Sequence, residues 1–299
     1  MSELCVSQIQ SPLDTGIHLL VNLFIAASYI PQLIHIRTSN TGDAGISGWY
    51  IILLTTSATS HCATRIRNLT SSTVWSCSCH GELKGFGLFS ALVVHLQAFT
   101  HWAAAIILLA FYVSFRTQTL APQNDTKGAG PALTTTTTSS PRNITILAIV
   151  LTHAAVVLPL AIYLLIPLLH DEDDYVQPFF NNFLYGCLLR LIGILTSLTA
   201  AIPQIHLMVT RYYNNGNTFD PGSLSLLSLG LQAAMFIALS ASQGWRMRPE
   251  GVEIISLEWW LDFFLVSGLA AGWVALAVCQ LLVLCVALGL RAREGRIRL

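Results

Sequence analysis

Seven long apolar stretches divide this chain, and they constrain its fold more than any motif does. A helix needs about 20 apolar residues to cross the hydrocarbon layer of a bilayer. The stretches run from about Thr15 to His35, Gly45 to Cys62, Gly87 to Phe115, Ile144 to Leu169, Phe183 to Val209, Gly222 to Ser242 and Trp259 to Leu290. The second carries the polar string Thr55, Thr56, Ser57, Thr59 and Ser60, which requires a protein-facing side. The third exceeds the hydrocarbon thickness and must tilt or extend beyond it. Composition agrees: 54% of the residues are hydrophobic and 10% charged, whereas a soluble domain carries about 25% charged residues. The expected fold class is an all-α membrane protein with seven transmembrane helices, and its first partner is the lipid bilayer.

The few charges indicate orientation. Fifteen basic and fifteen acidic residues cancel, so nothing points to a nucleic-acid partner. The residues ahead of the first helix include Glu3 and Asp14 but no Lys or Arg, and so lack the basic start of a cleavable signal peptide. The N-terminus is expected on the luminal or extracellular side. Seven crossings then leave the C-terminus in the cytosol, where Arg291, Arg293, Arg296 and Arg298 obey the positive-inside rule. Arg37, Arg116, Lys127, Arg142 and Arg211 join them, against Arg65, Arg67, Lys84, Arg246 and Arg248 on the opposite side.

An internal repeat organises the stretches. The segment Ala27 to Gln32, ending Ile-Pro-Gln, recurs as Thr199 to Gln204 with the same ending. Each Pro-Gln pair precedes a polar loop that reaches Asp43, Gly45 and Ser47 in one case and Asp220, Gly222 and Ser225 in the other. Trp102 lies 71 residues beyond Pro31, and Trp273 lies 70 beyond Pro203. The fourth helix has no counterpart and serves as connector, which lets two three-helix units run parallel. The expected domains are the N-terminus 1–14, a first repeat 15–115, a flexible cytosolic linker 116–142, connector helix 143–170, a second repeat 183–290 and a basic tail 291–299.

The paired Ile-Pro-Gln segments, with Gly45-Ile-Ser47 and Gly222-Ser-Leu-Ser225 downstream, resemble the signatures of PQ-loop proteins, the superfamily of cystinosin, vacuolar amino acid exporters and SWEET sugar transporters. The string Thr55 to Ser60 and the Gly-Ser-Leu-Ser start of helix six look most like a fungal branch. The resemblance implies two parallel three-helix bundles joined by a connector, and a transporter of a small polar solute, amino acid or sugar, with or without protons. It also implies a vacuolar or lysosomal-type endomembrane in preference to the plasma membrane. The alternative is a receptor or adaptor without transport, as the KDEL receptor among PQ-loop relatives illustrates.

Proline late in a helix removes a backbone donor and frees an acceptor, so Pro31, Gln32, Pro203 and Gln204 are the candidate hinge residues, with passive kinks as the plainer reading. Parallel-repeat transporters hold substrate at the repeat interface near the midplane. Polar groups within the apolar runs are therefore candidates for substrate binding: Asn22, Thr56, Gln97, His101, Trp102, Thr196, Gln232 and Trp273. The same side chains serve equally well as hydrogen-bonded ties between helices. Proton-linked members of the family carry an acid where this chain has Gln232, so any proton coupling falls to His101, His153, Asp220 or Asp262.

Other motifs carry less. His61, Cys62, Cys77, Cys79 and His80 cluster along the chain with spacing that could suit a metal, but Cys77 and Cys79 flank only one residue where structural Cys pairs are separated by about two to four, and no metal or other cofactor is expected. A luminal disulfide from Cys62 to Cys77 or Cys79 is the more ordinary reading, with free thiols as the alternative. Asn68 starts the glycosylation pattern that would face the lumen. No nucleotide-binding glycine loop, nucleophile elbow or His-Glu-x-x-His motif occurs, so enzyme activity is not expected.

Overall fold

The computed structural model describes residues 11–38, 45–70, 77, 84–119, 142–163, 176–221, 224–246 and 269–297. These form seven helices: α1 Pro12–Thr38, α2 Gly48–Thr70, α3 Phe86–Thr119, α4 Asn143–Tyr163, α5 Val176–Asn214, α6 Leu226–Arg246 and α7 Leu269–Ile297. The chain is an all-α membrane protein. Six helices are long and apolar enough to cross a bilayer, α2 being the exception. Leu20, Leu23, Phe24, Leu188, Leu191, Leu195 and Ile202 are exposed along α1 and α5, a distribution suited to lipid.

Local signals set several ends. Ser11 caps α1 by accepting the Asp14 amide at 3.1 Å, and Pro12 occupies the first helical position, where its missing N–H costs nothing. α5 closes on Gly216, at φ 67°, and Asn217, at φ 64°. Their amides return to the carbonyls of Tyr213 and Tyr212, at 3.3 and 2.9 Å, the pairing of a Schellman end. Residues 291–297 of the expected basic tail continue α7 as its last two turns, since Arg and Ala propagate a helix well.

Packing follows the repeat. In each unit the third helix lies against the first and second: α3 on α1 and α2, α7 on α5 and α6. The two units meet through α2 on α5 and α1 on α6, contacts that exchange when the repeats are exchanged. α4 packs on α2.

The polar string of α2 faces protein, as its composition demands. Nearly all of residues 50–65 are buried. Thr55, Thr59 and Thr64 return their hydroxyls to the carbonyls one turn earlier. Ser57 bonds both the Gly193 carbonyl, at 3.0 Å, and the Ser197 hydroxyl on α5, and Ser60 meets His153 of α4 at 3.2 Å. Glycine makes the α2–α5 approach possible. A Cβ added at Gly186 would lie 1.8 Å from Arg67 Nη1, and one at Gly193 would lie 2.8 Å from His61 Cδ2.

Candidate functional site

The two Pro-Gln segments meet the opposite repeats. Ser47 and Ser225 are the residues that start α2 and α6, with carbonyls accepting the amides of Ile51 and Leu229 at 3.3 and 3.2 Å. A backbone N–H just ahead of a helix has no partner within that helix. Gln204 of α5 supplies one for the first repeat: its Oε1 accepts the Ser47 amide at 2.8 Å, and its Nε2 donates to the Gly45 carbonyl at 2.6 Å. Gln32 of α1 does the same for the second repeat, its Oε1 accepting the Ser225 amide at 2.8 Å. Both glutamines are buried. Each repeat therefore holds the start of the other's second helix, and the two latches lie at the end of the bundle where α1 turns into α2 and α5 into α6.

The prolines sit beside these latches. Pro31 and Pro203 are half-buried inside α1 and α5, and both helices continue past them. The Ser28 carbonyl, one turn before Pro31, accepts the Ser228 hydroxyl of α6 at 2.6 Å. Gln232, one turn further along α6, donates to that same hydroxyl at 3.1 Å. Gln232 thus belongs to the α1–α6 seam.

Deeper in the bundle an aromatic cluster joins both repeats. The His101 ring of α3 is fully buried, and its Nδ1 lies 2.8 Å from the Tyr29 hydroxyl of α1. It meets Phe236 of α6 edge-on at 5.2 Å and Trp273 of α7 at 5.4 Å. Phe236 and Trp273 stack at 5.5 Å. His61 closes the other side of Trp273 at 5.7 Å, edge-on. Trp273 follows His101 by 172 residues, the spacing that also separates Pro203 from Pro31, so His101, one position before Trp102, is the side chain that confronts Trp273.

His61 is clamped between backbones. A Cβ at Gly272 would lie 2.5 Å from its Nε2, and the Cβ at Gly193 would press from α5. Gly272→Ala should therefore destabilise the detergent-solubilised protein by about 1–3 kcal/mol through overpacking. Adding His61→Ala should recover most of that loss in a thermal-unfolding series; equal destabilisation in the single and double variants would show that His61 is not the obstacle.

The remaining sequence-predicted residues fall elsewhere. Asn22, Gln97 and Thr100 tie α1 to α3: Thr100 donates to Asn22 Oδ1 at 3.1 Å, and Gln97 Nε2 lies 3.0 Å from His18 Nδ1. Trp102 donates to the Thr59 hydroxyl at 3.2 Å, within the first repeat. Thr196 bonds its own helix at the Ile192 carbonyl, 2.7 Å away. Thr56 is half-buried, and its hydroxyl has no hydrogen-bond partner among the described residues. His153 meets Ser60, and Asp220 is exposed in the loop after α5. Asp262 and the side chain of Asn68 lie outside the described residues. Cys62 is a free, buried thiol and Cys77 is disulfide-bonded, so the expected disulfide from Cys62 to Cys77 or Cys79 does not form. Among the described residues no His, Cys, Asp and Glu side chains group as a metal site.

Tyr29, His61, Phe236 and Gln243 were not among the expected site residues. An alternating polar and aromatic pattern marks none of them, because their shared neighbourhood arises from helices distant in sequence. Compared with family models, curated proteins and solved structures, the chain matches none.

Proposed function

We propose that the chain is a transporter of the PQ-loop type, moving a small polar solute between its two repeats by alternating access. The observation that carries this reading is the reciprocal pair of glutamine latches. They tie each repeat to the other at one end of the bundle, with the Tyr29, His101, Phe236 and Trp273 cluster deeper along the same seam. Two symmetric ties that can open and reform are what closing and opening one face requires. The disulfide at Cys77, between α2 and α3, supports a non-cytosolic position for that connection, and with it a luminal N-terminus and a cytosolic latch face. A vacuolar or lysosomal-type membrane accords with this orientation and with the family resemblance.

Flux in proteoliposomes tests the reading. A panel of radiolabelled amino acids and sugars should include at least one solute whose uptake depends on the protein; specific binding without uptake across the panel would favour a receptor instead. Pro31→Ala and Pro203→Ala should each lower that uptake by restoring a helix hydrogen bond at the latch, while leaving the fold intact. Alanine is favoured over proline by about 3 kcal/mol in a helix interior, so instability is not the expected result. Parental uptake by both variants at normal abundance would make the prolines passive shaping residues.

A further inference from the structure

Beyond the aromatic cluster, towards the opposite end of α2 from the latch, one cation is buried in unusual company. Arg65 is only 7% exposed. Its Nε has no hydrogen-bond partner among the described residues. With the Gln243 amide oriented to satisfy its neighbours, the amide oxygen accepts from Arg65 Nη2 at 2.7 Å and from Trp273 Nε1 at 3.1 Å. This neutral amide is the acceptor Arg65 has among the described residues.

The electrostatic neighbours of Arg65 among the described residues are themselves basic: Arg190 on α5, His61 one turn earlier on α2, and His95 on α3. His61 Nε2, His95 Nδ1 and His101 Nε2 are also buried without hydrogen-bond partners among the described residues. The rings of His61 and His101 touch Trp273, and the Arg65 guanidinium reaches it through Gln243, so these groups carry more hydrogen-bonding capacity there than the described residues satisfy. A buried guanidinium without a counter-charge is costly, and burial of charge is ordinarily matched by an anion or by full hydrogen bonding. Planar guanidinium groups match carboxylates in two-pronged geometry. The stacked Phe236 and Trp273 rings, one amide away from the guanidinium, offer an apolar surface beside the charge.

We infer that Arg65, held beside Trp273 by Gln243, binds the carboxylate of a small organic solute, with His61 alongside and the Trp273 and Phe236 rings facing the rest of the molecule. This deepens the transport reading, on which it rests for the identity of its occupant, and selects amino or organic acids over neutral sugars. Arg65 is then a binding residue whose charge is retained for the ligand and contributes nothing favourable to the empty fold.

Thermal unfolding of the purified full-length protein tests this directly. The probes are the twenty L-amino acids, succinate and citrate, the methyl esters of the amino acids, glucose, sucrose and inorganic phosphate. At least one acid should raise the melting temperature by several degrees through preferential binding to the folded state. Its ester, and phosphate, should bind at least about tenfold more weakly, as loss of a charged hydrogen bond implies. Arg65→Met should abolish the response without lowering the melting temperature of the ligand-free protein, a combination that a merely structural arginine would not produce. Arg65→Lys, which keeps the charge and loses the planar fork, should weaken binding by about tenfold. The inference is overturned if no acid shifts the transition, if ester or phosphate matches the acid, or if Arg65→Met responds like the parent. Should Arg65→Met not fold, a folded Arg65→Lys that binds the acid about tenfold more weakly upholds it, and one that binds like the parent overturns it. Acid binding without flux in proteoliposomes would uphold the site and sink the transport reading. Sugar flux unaffected by Arg65→Met would do the reverse.

Discussion

Gln32→Met and Gln204→Met, made together, should loosen the latch face of the bundle and abolish most solute uptake. Methionine nearly preserves the volume of glutamine but neither donates nor accepts a comparable hydrogen bond. The Ser47 amide and the Gly45 carbonyl then lose Gln204, and the Ser225 amide loses Gln32. A buried polar group left unpaired costs about 1–3 kcal/mol, so each single variant should lose roughly that much stability and the pair should lose more. The fold should survive, since the α2–α5 and α1–α6 seams retain their packing.

The consequence for access can be read at a single thiol. Cys279 is fully buried on α7 and free. If the glutamines hold this face closed, a membrane-impermeant thiol reagent should modify Cys279 faster in the double variant than in the parent, as mapped by mass spectrometry. Unchanged labelling together with parental uptake would mean that the glutamines serve only as helix caps. Faster labelling in one single variant but not the other would mean that the two ties are unequal.

Trp273→Ala should produce the other large effect. The indole is 1% exposed and touches the rings of His61, His101 and Phe236. Removing a buried Trp or Phe side chain costs about 3–5 kcal/mol, through lost burial and the cavity that remains. It also removes the donor that the Gln243 oxygen shares with Arg65. Trp273→Phe should recover most of the packing but not that hydrogen bond. The two variants thus separate packing from polar positioning. If Trp273→Phe matches the parent in both stability and uptake, the indole N–H is dispensable. If Trp273→Ala unfolds within about 1 kcal/mol of the parent, the cluster is not the core that its burial implies.

What the sequence by itself determined is the set of helices and their relation by repeat. Apolar length marked the spans, the Thr and Ser string of α2 demanded an inward face, and two Pro-Gln landmarks at matching positions divided the chain around α4. These are properties of a segment read along its own axis, where hydropathy and periodicity report directly. What only the tertiary structure decided is which helices abut and how each is rotated about its axis. Gln204 reaches Ser47 across 157 residues and Gln32 reaches Ser225 across 193, in the opposite repeat each time. The expected site residues divided accordingly. His101 and Trp273 reached the shared cluster, while Asn22, Gln97 and Trp102 became ties within the first repeat. Composition cannot separate these roles, because a polar side chain that joins two helices and one that faces a common centre are equally buried and equally in need of partners. The hundred degrees between His101 and Trp102 on one helix, set by a helical repeat of about 3.6 residues, are enough to send one to the centre and the other to its neighbour.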